Sequence, residues 1–167
     1  TLGVAISAPA GWTEVYNSGS TGSPIAVFVN VAQADAIAGS VSVALSESAT
    51  CAAIVYCVSA AANPGAVEVA TASGSGGSVS FTALSPSWGA AADTLAFAAF
   101  TGASPATILA WPYAGGRKHA ASPGTSGSHC ETAACHAVVA GASVSPGACE
   151  KASSGVWSSV AIGVRIG

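Results

Sequence analysis

The sequence predicts an all-β protein, an antiparallel β-sandwich of jelly-roll type with about ten strands. Three observations predict it. In the stretch 156–166, Val156, Ser158, Val160, Ile162, Val164 and Ile166 alternate with Trp157, Ser159, Ala161, Gly163 and Arg165. A period of two puts these sets on opposite faces of a strand, one expected in a core and the other towards solvent or a neighbour. No segment carries the 3.6-residue period of a helix. Strand-like runs instead recur about every 8–12 residues, separated by Gly, Pro and Ser.

In chain order, Pro9, Ala10 and Gly11 form a turn into a strand at 12–15, and 17–24 is a loop by composition. Ile25, Val27, Val29 and Val31 alternate with Ala26, Phe28, Asn30 and Ala32, giving a second strand. Val41, Val43 and Leu45 mark a third. The stretch 51–59 is apolar on both faces, as expected of a central strand covered on both sides. After the turn Asn63-Pro64-Gly65, Val67 and Val69 make a short strand, and the Gly/Ser run 73–78 reads as a loop. Val79, Phe81 and Ala83 resume a strand. Leu95, Phe97 and Ala99 begin another, and 106–111 follows Pro105. Residues 115–128 form the longest irregular stretch. Strands at 132–139, 143–148 and 156–166 complete the chain, the last expected inside the sheet.

A weak internal echo relates residues 12–60 to 111–166, with Trp12 answered by Trp111 and 51–59 by the closing strand. Related halves of this kind suit one sandwich spanning 1–167, because neither half alone has enough strands to close a core.

Only 7% of the 167 residues are charged, against roughly 25% in typical soluble domains. Mean hydropathy is +0.59, yet no apolar run reaches the length of about 18 residues that a membrane helix needs. The hydrophobicity is Ala and Val spread through alternating segments. With a net charge of only -3, exposed faces are expected to be covered by copies of the chain or by another protein. Arg117, Lys118, Lys151 and Arg165 are too few to track a phosphate backbone, so nucleic acid is not an expected partner.

The densest group of reactive residues is His129, Cys130, Glu131, Cys135 and His136, with His119 and Cys149 nearby in sequence. It admits three readings: a metal site using His129, Cys130, Cys135 and His136, a disulfide among Cys130, Cys135 and Cys149, or plain buried thiols. The spacing lacks a short zinc knuckle, and adjacent Cys135 and His136 would face opposite ways in a strand. Cys51 and Cys57, about 20 Å apart along a strand, cannot pair and read as core. No nucleophile elbow or phosphate-binding loop occurs. The carboxylates are scattered, mostly at expected strand ends where they would be solvated. No cofactor is expected. Trp12, Trp88, Trp111 and Trp157 read as core or subunit contacts, or as a sugar-stacking platform.

The order Pro9-Ala10-Gly11-Trp12-Thr13-Glu14-Val15, an alternating strand to Ala32, then Ser48-Ala49-Thr50 before an apolar run resembles β-sandwich modules in virion proteins of tailed bacteriophages. The stretch 155–165 is similar to that family's closing strand. The resemblance spans nearly the whole chain but consists of patterning and a few Gly-Trp positions; the Cys/His-rich stretch 119–149 departs from it. It implies a non-enzymatic virion structural protein on the particle exterior, foremost a capsid decoration or cement protein. The implied partners are the major capsid protein and copies of the chain, with Trp12, Trp88, Trp111 and Trp157 as interface candidates and no nucleic acid or membrane. The alternative is a carbohydrate- or receptor-binding module of a phage tail or fibre.

Overall fold

The computed structural model describes residues 4–19, 23–30, 40–58, 66–103, 106–122 and 130–166. These residues form ten strands: β1 (Ile6–Ser7), β2 (Thr13–Asn17), β3 (Ala26–Val29), β4 (Ala44–Leu45), β5 (Val67–Ser80), β6 (Asp93–Gly102), β7 (Ile108–Ala110), β8 (Gly115–Ser122), β9 (Cys130–Val139) and β10 (Ala148–Ile166). A single 3-10 turn at Gly89–Ala91 is the only helical element among them. The protein is therefore all-β, and every strand pair is antiparallel.

The main sheet runs in the order β5-β10-β6-β9-β8, with β7 also paired to β10; β1-β4 and β2-β3 are small two-stranded sheets. The closing strand lies inside the sheet, as expected, paired with β5 on one side and, over Trp157–Ile166, with β6 on the other. Both of its faces are buried, however: Val160 and Ala161 are each inaccessible to solvent. The face bearing Trp157, Ser159, Ala161 and Gly163, expected to meet solvent or a neighbour, is covered by the chain itself. Leu84, Thr94 and Trp88 pack over Gly163, and Ser159 Oγ donates to the Ser80 carbonyl at 2.6 Å.

On that face Phe100, Ala133 and Trp157 pack with Val79 and Cys149. Val79 and Cys149 come from the far ends of β5 and β10, beyond a register shift between Glu150 and Gly155. A bulge of this kind bends a strand, and here it brings the ends of the ribbon onto the sheet. Leu84, Ala96 and Val144 continue the core, with Leu84 and Val144 joined by an isolated bridge. Phe97 and His136 lie across the sheet, packed under Tyr56 at centroid distances of 5.0 and 5.7 Å. Ser23 Oγ, beside the β2-β3 hairpin, donates to the Val156 carbonyl at 3.1 Å.

Three segments correct the sequence reading. The Gly/Ser run 73–78 is the interior of β5 rather than a loop. Its glycines serve packing and the bulge: Gly74 lies under the Trp157 indole, and Gly76 takes φ +126° opposite the register shift. Residues 51–58, expected to form a doubly covered central strand, adopt no strand. They lie over the sheet with Ala52, Ile54 and Tyr56 half-buried, whereas Cys51, Ala53, Val55 and Cys57 are exposed. Cys51 and Cys57 are accordingly not core residues. The echo between residues 12–60 and 111–166 fails at this pair, since 51–58 has no counterpart to β10. The irregular stretch expected at 115–128 is strand β8 up to Ser122; its remainder lies outside the described residues.

Candidate functional site

The site is built on Glu131 of β9. Strand pairing sets it opposite Gly102 of β6 on one side and Ala121 of β8 on the other. Gly102 has no side chain to fill the space above it: a Cβ there would stand 2.8 Å from Glu131 Oε1 and 3.0 Å from a lysine nitrogen, Lys151 Nζ. Lys151 arrives from β10, where it pairs with Ile108 of β7. Its ammonium makes direct contact with Glu131 Oε1. Glu131 is 0% exposed and Lys151 5%.

The second carboxylate oxygen is equally well engaged. Glu131 Oε2 accepts the Ala106 backbone N–H at 3.1 Å and stands 3.3 Å from His119 Nε2. His119, on β8, is the outermost member. Below the pair, Lys151 Nζ lies 5.5 Å from the Phe100 ring centroid. Thr101 Oγ1 donates to the Glu131 carbonyl at 3.0 Å. Two charges withdrawn from water cost several kcal/mol each, on the order of magnitude of a whole domain's stability, unless paired and hydrogen-bonded. Here both conditions are met.

Beside the pair an open cavity of about 530 Å³ is lined by Ala106, Thr107, Ile108, Trp111 and His119. Ala106, Ile108 and His119 thus join the cavity to the buried ions, and the Arg117 guanidinium lies 5.9 Å from the Trp111 ring centroid. The arrangement places a carboxyl carbon, an amine nitrogen, a backbone donor and an imidazole in one water-poor compartment with an outlet.

The residues singled out from sequence are dispersed. His129 lies outside the described residues. Cys130 is half-buried and Cys135 buried, while His136 packs edge-on to Tyr56 at 87°. Cys135 and His136 point to opposite faces, and among the described residues no three His, Cys, Asp or Glu side chains gather around a common point. All five cysteines are free thiols. Burial raises the thiols of Cys130 and Cys135 and lifts Cys149 to about 12. Of the interface candidates, Trp12, Trp88 and Trp111 are half-buried, and Trp88 Nε1 donates to Thr94 Oγ1 at 2.9 Å. Trp157 is core, not surface: it is 5% exposed within the Phe100 cluster.

No family model, curated protein or solved structure matches the chain.

Sequence reasoning places Glu131 in the Cys/His-rich cluster and among the scattered acids, and counts Lys151 only among the four cations, without pairing the two. The signal that could have found them is scarcity. In a chain with so few charges, an acid and a lysine set inside strand-forming runs must be paired if those runs are buried.

Proposed function

We propose that the chain is a non-enzymatic structural protein of a phage particle, a decoration or cement protein that sits on the head exterior and adds buried contact between shell subunits. The observation that carries the reading is a charge-poor surface bearing large aliphatic side chains. Leu109, Val138 and Val55 are 66%, 62% and 58% exposed, in a chain with 7% charged residues. Such residues gain from being covered, and repetition over a symmetric shell multiplies a modest contact into durable attachment. The patterning shared with virion modules supplies the setting. The partners under this reading are the major capsid protein and further copies of the chain, with neither nucleic acid nor membrane involved. Cryo-imaging of particles with and without the protein tests it. Density on the head and a shell that resists heat better with the protein support it; bare heads of unchanged stability count against it.

A second reading has one observation in its favour. Trp111, Thr107 and His119 share the wall of the open cavity, an aromatic plane beside polar groups, as a carbohydrate-binding module of a tail or fibre would have. A glycan array with the protein and its Trp111→Ala variant separates the two: hits lost in the variant favour this reading, and no hits remove it.

A further inference from the structure

We infer that Lys151 and Glu131 are the two partners of a self-formed isopeptide bond, an amide joining Lys151 Nζ to Glu131 Cδ. The inference stands apart from the particle assignment and needs no other molecule.

Three features of the site carry it. The two side chains touch and are shut away from solvent, and Gly102 keeps their meeting place clear. Reacting groups fixed at contact distance gain the large advantage of an intramolecular reaction. The oxygen that would bear developing charge, Oε2, already faces a backbone N–H from Ala106 and the His119 ring nitrogen, the arrangement that stabilises a tetrahedral oxyanion. Finally, the product is a neutral amide in place of two desolvated ions, which removes the cost of keeping charges in a low-dielectric interior.

The balance of the reaction is simple. One proton passes from the Nζ ammonium to Oε1, leaving an amine against a carboxylic acid. The Nζ lone pair attacks Cδ and the carbon–nitrogen bond forms, while a carbonyl electron pair moves onto Oε2. A second proton moves from Nζ to Oε1. The Oε2 pair then re-forms the carbonyl, the Cδ–Oε1 bond breaks, and one water departs. An ammonium and a carboxylate have become an amide and water, with no oxidant, reductant or activating group required. His119 and Ala106 sit both on the carboxyl group and in the wall of the open cavity, which gives the water its way out. His119 acts on a reacting atom, so its role is catalytic; the bond itself ties β9 to β10 across β6.

Mass spectrometry of the full chain, purified and denatured, decides the matter. The intact mass is expected to fall short of the sequence mass by one water. Trypsin is expected to spare Lys151, so that residues 119–165 appear as one peptide, also short by one water, whose fragments locate the link between 131 and 151. In His119→Ala, checked for an unchanged β circular-dichroism spectrum, bond formation is expected to slow by about a hundredfold, leaving full-mass protein cleaved after Lys151. Full-mass wild-type protein cut readily at Lys151 would overturn the inference, as would a water loss that maps to any other peptide. Unimpaired bond formation in His119→Ala would overturn the catalytic role of the histidine.

Discussion

Gly74 of β5 lies directly against the indole of Trp157 on the neighbouring β10: a Cβ at position 74 would stand 2.7 Å from Trp157 Cζ2 and 3.1 Å from Cη2. The Trp ring is buried between the sheet and the core, so it has no room to retreat. Gly74→Ala is expected to destabilise the protein by about 1–3 kcal/mol, the usual cost of an extra methyl group in a packed core. Urea unfolding followed by Trp fluorescence measures it; an unchanged midpoint would show that the ring can move.

Trp88 and Thr94 make a second test of packing on the same face. Thr94 is fully buried and accepts the Trp88 Nε1–H at 2.9 Å. Thr94→Val keeps the shape and removes the acceptor. It is expected to cost about 1–3 kcal/mol, because a half-buried indole N–H loses its partner. Thr94→Ser, which retains the hydroxyl, is expected to lose less, as judged by the same urea midpoints.

Lys151→Met is expected to be among the most damaging single substitutions. It removes the bond-forming amine, and it leaves Glu131 buried with Ala106 N–H and His119 but without its cation, a loss of about 3–5 kcal/mol for one member of a buried pair. Replacing both, Glu131→Leu with Lys151→Met, is expected to recover much of the cost of the stranded charge, though not the cross-link. Thermal unfolding of the two singles and the double closes the cycle.

Alkaline pH is expected to weaken the fold. Burial, with a smaller contribution from Cys135, raises Tyr56 and Tyr113 from 10.0 to about 12, and burial raises Cys149 from 9.0 to about 12. A folded-state value above the unfolded one means the protonated form is favoured by folding. Their contribution is therefore complete below the unfolded values and is lost as pH rises through 9.0 and 10.0 towards about 12. Tyr56→Phe is expected to flatten part of this decline. It also removes the hydroxyl's bond to the Ala134 carbonyl at 3.0 Å. Phenolate absorbance and stability measured across that range check both points.

The thiols should divide by position. Cys51 and Cys57 are exposed, Cys135 and Cys149 buried. An alkylating reagent is expected to label Cys51 and Cys57 in the native protein and to reach Cys135 and Cys149 only after unfolding, because a buried, protonated thiol is a poor nucleophile. Peptide mapping of labelled sites over time reads the order.

Much of the sheet was legible in the sequence because its strongest signals are local. Val156 to Ile166 alternate, and alternation alone makes a strand; β6 and β9 announce themselves in the same way. Gly74, Gly76 and Gly77 misled for a physical reason: a glycine that makes space for a tryptophan or permits a bulge looks, in sequence, like one that breaks a strand. The run 51–58 misled in the opposite direction. Its apolar residues promise a central strand, but they cross the sheet without joining its ladder, tied down through Tyr56 on Phe97 and His136. The site was the least legible part. Glu131 and Lys151 are 20 residues apart and on strands separated by β6, so only the folded topology brings them together.

Before any bond forms between them, that topology gives the Lys151–Glu131 pair a task in alignment. Around the register shift, small residues dominate the ribbon of β5 and β10: Gly74, Ser75 and Gly76 pair with Trp157, Val156 and Gly155, and residues 151–154 fall within the shift itself. Sliding β10 by a single residue would swing Trp157 away from Gly74 and carry Lys151 to the reverse side of its strand. Glu131 would then be left as an uncompensated buried ion. A ribbon built mostly of small residues is thus read in one frame only, marked by a tryptophan on one side of the shift and by a lysine within it.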